Sequence, residues 1–417
     1  MNTLLSRRKL LLGLGFGSIS LAAFKFWPDE GIWNPCLDDD SLKEYLKNDL
    51  VQIALTGINF EKMWDCHVHL IGTGDSNKGI WLNPKLQSLA HPLQYIQYQF
   101  YLNASCPGEN DNIDSAYVNR LIKLFKQFPT GAKAMLLAFD YFHDENGKRN
   151  LTQSPYHTPN VYAQEIAQKF PDQFEWIASI HPYREDAIEE LQNAIDNGAR
   201  AVKWLPQAMG IDPSSPLCDK YYEILAKHNI PLLSHAGDEH AVDAGELQKL
   251  GNPLLLRRPI EQGVKVIVAH CASMGSNVDI DKGKSAKELR NIDLFSRLMD
   301  DKNYHGHVYG DISAITQINR QQSEFEKIYL KTEWHDRLIY GSDYPLPGVM
   351  PIFSLQTSVN RGYISKEQAT VLSQTRKYNP ALFDLLLKRM IRVKGHRLPS
   401  RVFETANLFL QSKENQS

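Results

Sequence analysis

Two histidines lie two residues apart in the run WDCHVH, residues 64–69. On a β-strand, residues i and i+2 point to the same face, so His67 and His69 would project side by side. Two imidazoles placed in this way are a natural pair of ligands for a divalent metal. The H-x-H pair is a weak signal on its own, because paired histidines also occur without a metal.

Three further candidates stand where short apolar runs end, at His235, His270 and Asp343. Enzymes built on a barrel of parallel strands hold their catalytic groups at the carboxyl ends of those strands. Each of these residues alone fits a core or capping role equally well. Four such groups in chain order, all at the ends of apolar runs, are difficult to assign to packing. The set therefore predicts a metal or catalytic site.

These residues require strands to position them, and the apolar runs supply eight. The predicted strands are Met63–His67, Ala132–Phe139, Glu175–His181, Ala199–Leu205, Pro231–His235, Val264–His270, Gly306–Ile312 and Arg337–Gly341. Helical patterns lie between them, at Tyr117–Phe128, Val161–Lys169, Arg184–Asn197, Lys220–His228, Pro253–Gln262 and Ala286–Asp301. Strands that alternate with helices indicate a parallel sheet. Eight of them favour an α/β fold of the (β/α)₈ TIM-barrel type over the alternative, an open doubly wound sheet. No glycine-rich nucleotide motif follows any of these strands.

The remaining segments complete a predicted organisation of four parts. Residues 28–60 are expected to form a linker with one helix, Ser41–Leu55, residues 61–390 the barrel, and residues 391–417 a C-terminal tail. Within the barrel, Ile71–Ser115 is interpreted as a long loop that covers the active site. The chain from Ile364 onward is predicted to be helical, and its basic run Arg389–Arg401 is interpreted as a solvated face.

Residues 1–27 have the layout of an export signal. Three basic residues, Arg7, Arg8 and Lys9, precede an uncharged apolar stretch, Leu10–Phe24, that is rich in glycine and serine. The adjacent arginines resemble a twin-arginine signal. An ordinary amphipathic helix and a retained membrane anchor are the alternatives. The pattern predicts a bacterial protein in the periplasm, or one held at the outer face of the inner membrane.

Composition excludes several classes of protein. The 417 residues include 46 Lys+Arg and 48 Asp+Glu, a formal charge of −2, with 42% hydrophobic residues. A chain so near neutrality gives no indication of a nucleic-acid partner, and its apolar content excludes global disorder. The five cysteines form no C-x-x-C pair, so a cysteine-type zinc module is not expected. Cys66 and Cys271 are interpreted as small buried residues on the strand face opposite the histidines.

The ordered set of motifs resembles the amidohydrolase superfamily. H-x-H after strand one, His after strands five and six, and Asp after strand eight form its pattern. Supporting phrases are IHP at 180–182, AVKWLP at 201–206, GSDYP at 341–345 and NPALF at 379–383. Together they look like the branch that contains aminocarboxymuconate-semialdehyde decarboxylase and related metal-dependent hydrolases. The resemblance covers roughly residues 60–385.

This resemblance implies roles for individual residues. His67, His69, His235 and Asp343 would bind one divalent metal per chain. Zinc suits that donor set, and Mn²⁺ or Fe²⁺ are the alternatives. Asp343 would also act as general base. His270 would polarise the oxygen of the substrate or ligate a second metal.

Two residues remain ambiguous at this stage. Lys203 is interpreted either as a carboxylated lysine that bridges two metals or as a contact for an anionic group of the substrate. A lysine that merely reaches solvent at the barrel rim is the structural alternative. His181 either contacts the substrate or simply ends strand three. Glu239, His240, Arg257 and Arg258 are interpreted as solvated rather than as part of the site.

Three functions fit these features. The preferred one is an exported metal-dependent hydrolase that cleaves an ester, lactone or amide bond of a small molecule. The second is a lyase that decarboxylates or hydrates a small carboxylic acid, for which Lys203 or Arg257 should face the metal. The third is a non-catalytic, exported metal-binding barrel. The expected partner is a small-molecule substrate. Contact with a membrane is expected only through a retained N-terminal anchor. The oligomeric state is left open, and a homodimer is plausible.

Overall fold

The computed structural model describes residues 28–107, 112–242, 244–283, 285–320 and 323–410. The predicted export signal, residues 1–27, lies outside these ranges, as do residues 411–417 of the predicted tail. Among the described residues, no helix is both long and apolar enough to cross a bilayer.

Eight parallel strands of the described chain close into a barrel. They are β1 Trp64–His69, β2 Lys133–Leu137, β3 Phe174–Ile177, β4 Val202–Trp204, β5 Leu232–Ser234, β6 Val266–Val268, β7 Val308–Asp311 and β8 Leu338–Ile339. β1 to β3 form one hydrogen-bonded sheet and β4 to β8 another. Parallel bridges from Ala178 to Val202 and from Val68 to Tyr344 join the two sheets at both seams. The predicted TIM barrel is confirmed, and each strand falls at a predicted apolar run.

Helices surround the barrel. The described ones are α1 Ser41–Leu46, α2 Asp49–Leu55, α3 Pro92–Ala104, α4 Ile113–Lys126, α5 Asn160–Lys169, α6 Ala187–Asp196, α7 Pro206–Met209, α8 Asp219–Lys227, α9 Arg257–Glu261, α10 Asn291–Asp300, α11 Ser323–Leu330, α12 Leu355–Asn360, α13 Lys366–Tyr378, α14 Pro380–Met390 and α15 Ala406–Leu410. The single helix predicted over Ser41–Leu55 is two helices, because the Asn48 side chain accepts from the backbone N–H of Leu50 and caps a new helix start.

The segment Ile71–Ser115 is not the loop that the sequence predicted. It holds α3, with proline at its first position, and the strand Trp81–Leu82, which pairs antiparallel with Tyr156–His157. A disulfide joins Cys36 to Cys106, just beyond the end of α3. This segment is therefore a structured wall over one side of the barrel mouth.

The interior of the barrel is closed at the amino ends of the strands by the C-terminal residues. Ala406, Leu408 and Phe409 of α15 join an apolar cluster that the inner faces of the strands form. The strand members of this cluster are Trp64, Cys66, Met135, Leu137, Ile177, Ala201, Leu233, Ile267, Ala269 and Ile339. The backbone N–H of Trp64 donates to the Thr405 hydroxyl at 3.1 Å, which holds the tail in place. The opposite end of the barrel is left for the functional groups.

The basic run after Ile364 is only partly solvated. Arg389 is buried and donates hydrogen bonds to the carbonyl oxygens of Ala54, Thr56 and Leu398. The interpretation of this run as a solvated face is therefore wrong for Arg389. The guanidinium instead satisfies carbonyl groups near the end of α2, which would otherwise lack donors.

Candidate metal centre

A β-bulge in β1 sets the position of the two paired histidines. Asp65 pairs with Ala134 and Val68 with Leu136, so Cys66 and His67 together lie opposite Met135 alone. Bulges of this kind re-aim side chains next to functional sites. Here Cys66 stays in the inner apolar cluster, while His67 and His69 reach the barrel mouth. The prediction that Cys66 faces away from His67 was wrong because it assumed a regular strand.

Three of the predicted ligands lie within reach of one ion. Candidate ligand atoms of His67, His69 and Asp343 are all within 4.8 Å of one another. His69 Nε2 lies 3.1 Å from Asp343 Oδ1, and His67 Nε2 lies 3.5 Å from the same oxygen. Two imidazoles and one carboxylate, all directed to one point, fit a divalent cation of the zinc or manganese type.

Asp343 is held by its backbone in an unusual conformation. Its φ is +63°, in the left-handed region, and its N–H donates to the carbonyl oxygen of His67 at 2.9 Å. Strained residues of this kind concentrate at functional sites. Burial acts to raise the pKa of Asp343, but the proximity of the His67 imidazole and the hydrogen bond with His69 outweigh it and lower the pKa below its usual value. The carboxylate therefore stays ionised beside the histidines.

His235, the fourth predicted ligand, lines the same cavity from the end of β5. Its Nδ1 lies 3.5 Å from Glu239 Oε2, whereas its Nε2 is buried and has no hydrogen-bond partner among the described residues. An unpaired buried nitrogen is costly unless a ligand satisfies it. Glu239 is buried too, which corrects its interpretation as a solvated residue. The carboxylate instead faces His235 at the base of the cavity.

Asp311 fixes the orientation of His67. The Asp311 Oδ2 atom lies 2.7 Å from His67 Nδ1, and both side chains are fully buried. A carboxylate on one ring nitrogen keeps the proton there and leaves the lone pair of the other nitrogen free for a metal. This arrangement leaves the lone pair of His67 Nε2 on the side of Asp343.

Ser313 joins this pair to His270. Its Oγ donates to Asp311 Oδ2 at 2.5 Å and lies 3.1 Å from His67 Nδ1 and 2.8 Å from His270 Nδ1. Ligand atoms of His67, His270 and Asp311 are also close enough to share an ion. The hydroxyl, however, already bonds to all three. A hydrogen-bond network through Ser313 thus links the three residues of this second group.

Lys203 reaches the same point from β4. Its Nζ lies 3.1 Å from His67 Nε2, and the side chain is buried. Burial lowers the pKa of the Lys203 ammonium from its usual value. The structure thus rules out the alternative of a lysine that snorkels to solvent. The position is compatible both with a bridging carbamate and with contact to a substrate anion.

The cavity above these residues has a volume of about 500 Å³. Its floor carries the metal-site residues, Lys203 and Arg320, while its walls are mainly apolar and aromatic, with Leu86, Leu93, Ile96, Phe100 and Tyr101 among them. Arg320 is buried and its Nε has no partner among the described residues. A buried guanidinium with a free donor favours an anionic ligand.

Comparison with known proteins assigns this site to a family. A family model described as amidohydrolase matches residues 64–351. The chain belongs to the amidohydrolase family. The match runs from β1 to the residues just beyond β8, so it includes every predicted ligand. The resemblance to the amidohydrolase superfamily that was inferred from the motifs is confirmed.

Members of this family depend on a divalent metal, and the His–Asp group of this amidohydrolase fits such an ion. The chain is therefore a metal-dependent enzyme of the amidohydrolase superfamily. No curated protein matches the sequence.

Solved structures with a similar chain path share little sequence with it. An uncharacterised TIM-barrel protein from Bordetella bronchiseptica is 13% identical, with a TM-score of 0.41 over 70% of this chain and 88% of the other. A 2-pyrone-4,6-dicarboxylic acid hydrolase, so described provisionally, from Pseudomonas putida is 15% identical, with a TM-score of 0.40 over 78% and 97% of the two chains. A 5-carboxyvanillate decarboxylase from Novosphingobium aromaticivorans, complexed with manganese, is 15% identical, with a TM-score of 0.41 over 76% and 93%.

Two residues considered from the sequence lie outside the centre of this amidohydrolase. His181 Nε2 lies 2.8 Å from the carbonyl oxygen of Met209, and its ring packs against His143 at 4.8 Å. It is not among the residues that line the cavity. Arg257 pairs with Asp281 at the surface, so it does not face the metal centre. A cation facing the metal centre was expected at Lys203 or Arg257. Lys203 takes this position, and Arg320, which was not predicted, lines the same cavity.

Sequence reasoning missed Asp311, Ser313 and Arg320. Asp311 carried a similar signal, because it is the last residue but one of the run predicted as strand seven, Gly306–Ile312. Ser313 lies two residues further, at a spacing that would have paired it with Asp311. Arg320 had no such signal, since its position depends on the irregular chain after β7.

Proposed function

We propose that this amidohydrolase is a zinc-dependent hydrolase that cleaves an ester, lactone or amide bond of a small molecule, with one metal ion per chain. The observation that supports it is the convergence of His67, His69 and Asp343 on one point at the floor of the cavity, where the Nε2 atom of His235 is left without a partner among the described residues. These four residues would hold the ion.

The bound ion would supply Lewis acidity, which polarises a carbonyl oxygen and acidifies water. The protein residues supply the rest. His67 is oriented by Asp311, and the ionised Asp343 accepts the proton of the attacking water through a carboxylate oxygen. The apolar walls of the cavity exclude bulk water, which strengthens these electrostatic interactions.

The hydrogen bonds of His270 assign it a different role from the one expected. Its Nδ1 faces the carbonyl oxygen of Ser313 at 3.1 Å, and the Ser313 hydroxyl gives its only proton to Asp311. His270 Nδ1 must therefore carry the proton, so its Nε2 is an acceptor. Burial lowers the pKa of His270, which disfavours the doubly protonated form that could polarise an oxygen. We therefore propose that His270 accepts a hydrogen bond through Nε2 and does not donate one to the carbonyl oxygen.

One observation favours a second candidate, a decarboxylase or hydratase of a small carboxylic acid. Lys203 and Arg320 both line the cavity, and each is buried without a carboxylate bonded to it among the described residues. Two buried cations above a metal centre suit a substrate carboxylate. This feature is also compatible with a hydrolase whose substrate carries a carboxylate beside the scissile bond.

One experiment separates the two reactions. The purified chain is loaded with zinc, and its metal content is measured by elemental analysis. It is then screened in H₂¹⁸O against esters, lactones, amides and aromatic or dicarboxylic acids, with CO₂ release followed in parallel. A hydrolase incorporates ¹⁸O into the newly formed carboxyl group, whereas a hydratase incorporates it as a hydroxyl group; neither releases CO₂. Release of CO₂ without incorporation indicates the decarboxylase, and an absence of bound metal contradicts both candidates.

A further inference from the structure

The wall of the cavity that α3 provides is apolar on its outer side as well. Leu89, Leu93 and Ile96 leave 76%, 78% and 46% of their surface exposed, and the last two also line the cavity. These three residues, here called the rim, lie on the α3 side of the cavity. Single exposed apolar residues are common, but a contiguous group at a cavity mouth marks an interaction surface.

The rim lies in a stretch of unusual charge. Between Asp75 and Glu109 the chain has no acidic residue, although it contains 48 in total. Lys78 and Lys85 are the only lysines or arginines in that stretch. Lys78 pairs with Glu165 at 3.1 Å, whereas Lys85 has no carboxylate partner among the described residues. Trp81, Tyr95 and Tyr98 provide aromatic rings. Basic, aromatic and aliphatic residues without acidic ones are the composition of surfaces that bind anionic bilayers.

The start of the described chain is attached to the same helix. Trp33 stacks on Phe100 of α3 with ring centroids 4.9 Å apart. The backbone of Asn34 makes two hydrogen bonds with the Asn103 side chain, at 2.8 and 3.1 Å. The Cys36–Cys106 disulfide adds a covalent link beside them. These contacts hold residues 33–36 against the carboxyl half of α3.

This attachment limits how far the apolar N-terminal stretch can be from the rim. The stretch Leu10–Phe24 ends nine residues before Trp33 (33 − 24 = 9). Nine residues span at most about 30 Å when fully extended. A bilayer entered by Leu10–Phe24 would therefore lie within reach of α3.

We propose that the rim docks on the lipid bilayer that the N-terminal apolar stretch enters, so that the mouth of the active site faces the membrane surface. A second copy of the chain could also cover an apolar patch. The acid-free stretch and the attachment of residues 33–36 to α3 favour the bilayer. Docking places the cavity where amphiphilic molecules are concentrated.

A fluorescent label on the rim tests this arrangement. The three free cysteines, Cys66, Cys218 and Cys271, are buried, so an introduced surface cysteine is the reactive one. The full chain carrying Leu93→Cys is labelled with a nitrobenzoxadiazole dye and reconstituted in vesicles of phosphatidylcholine and phosphatidylglycerol. The matched control is Ile53→Cys on α2, 61% exposed and located before the amino end of β1.

Docking predicts that spin-labelled lipid quenches the dye at position 93 roughly threefold more than the dye at position 53. The emission at position 93 should also shift to shorter wavelength only when vesicles are present. Equal quenching at both positions overturns the proposal. A blue shift that appears without vesicles and grows with protein concentration also overturns it, and assigns the rim to a dimer interface.

Discussion

The two ends of the barrel interior are built by the same strands but have opposite chemistry. Toward the amino ends, Ala201 and Leu233 pack in the apolar cluster that α15 closes. Two residues further along the same strand faces, Lys203 and His235 line the cavity. Because residues i and i+2 share a face, one strand thus contributes to both regions.

The difference also extends to backbone strain. At the carboxyl end, His270 and Asp343 have positive φ, and the cavity-lining residues His235 and Arg320 have buried nitrogens without partners among the described residues. The apolar end is closely packed, although Trp64 Nε1 there is also buried without a hydrogen-bond partner among the described residues. Residues that break local rules concentrate where a ligand is bound. We infer that the amino end supplies stability and the carboxyl end supplies chemistry, and each variant below tests that division.

The largest expected effect is the loss of activity in Asp343→Asn. The amide cannot accept the proton and is a poorer metal ligand, so kcat should fall about 10³-fold. The free energy of unfolding of the metal-free protein should change by less than about 1 kcal/mol, because the carbonyl oxygen keeps the size and the backbone contacts of the side chain.

The matched control is Asp336→Asn, just before the amino end of the same strand. Asp336 pairs with Arg401 at the surface. Its replacement should leave kcat and metal content unchanged, since exposed ion pairs contribute little. If Asp343→Asn retained kcat, or unfolded the protein, the division between the two ends would fail.

The second-largest expected effect is a loss of stability caused by a change at the amino end of the barrel. Phe409→Ala removes a fully buried ring from the apolar cluster and should lower the free energy of unfolding by about 3 kcal/mol. In the fraction that stays folded, kcat should remain within about twofold of the wild type. Urea denaturation and steady-state kinetics at low temperature measure the two quantities.

The neighbouring residue on α15 provides the control. Leu410 is 46% exposed, and Leu410→Ala should cost no more than about 0.5 kcal/mol. Similar losses in the two variants would mean that the ring does not stabilise the barrel interior.

The sequence predicted the barrel well because its eight strands are apolar runs, and the predicted ligands stood at the ends of those runs. The sequence-based prediction was wrong where one inserted residue or one weakly amphipathic segment determines the local structure. The bulge at Cys66 and His67 inserts one residue and cancels the alternation that predicted opposite faces. Helix α3 was interpreted as a loop because its apolar side chains face a cavity and solvent, so the helical pattern of burial is weak.

The same limit applies to the site. Asp311 was predictable from its strand end, but Arg320 and Glu239 enter the cavity from irregular segments whose paths no periodicity encodes. Long-range contacts such as the Cys36–Cys106 disulfide, which spans 70 residues, are equally invisible in spacing. Functional residues at or just after the ends of strands carried a signal in the sequence, whereas those on longer irregular segments did not.

A smaller effect is expected when a residue that only orients a ligand is changed. Asp311→Asn removes the carboxylate that accepts from His67 Nδ1, so metal affinity should fall about 10- to 100-fold. Competition with a chelator, read by elemental analysis, measures this loss of metal affinity without any substrate.

The control is Asp301→Asn, at a residue that caps the turn before β7. Asparagine caps as well as aspartate, so metal affinity should not change. Unchanged affinity in Asp311→Asn would remove Asp311 from the metal centre.

The smallest effect concerns the rim, which shares apolar chemistry with the amino end but not its burial. Leu93 and Ile96 are 78% and 46% exposed, so their replacement by serine should leave the free energy of unfolding within about 0.5 kcal/mol of the wild type. If the cavity receives the apolar part of its substrate through this rim, the double variant loses about 1 kcal/mol of contact with a long alkyl chain. We therefore expect kcat/KM to fall about fivefold for the longest members of a homologous substrate series, with no change for the shortest.

The control is Ile53→Ser, at another exposed apolar residue, which should leave kcat/KM unchanged for the entire series. An equal loss for short and long chains would show that the rim shapes the active site itself and does not receive the alkyl chain.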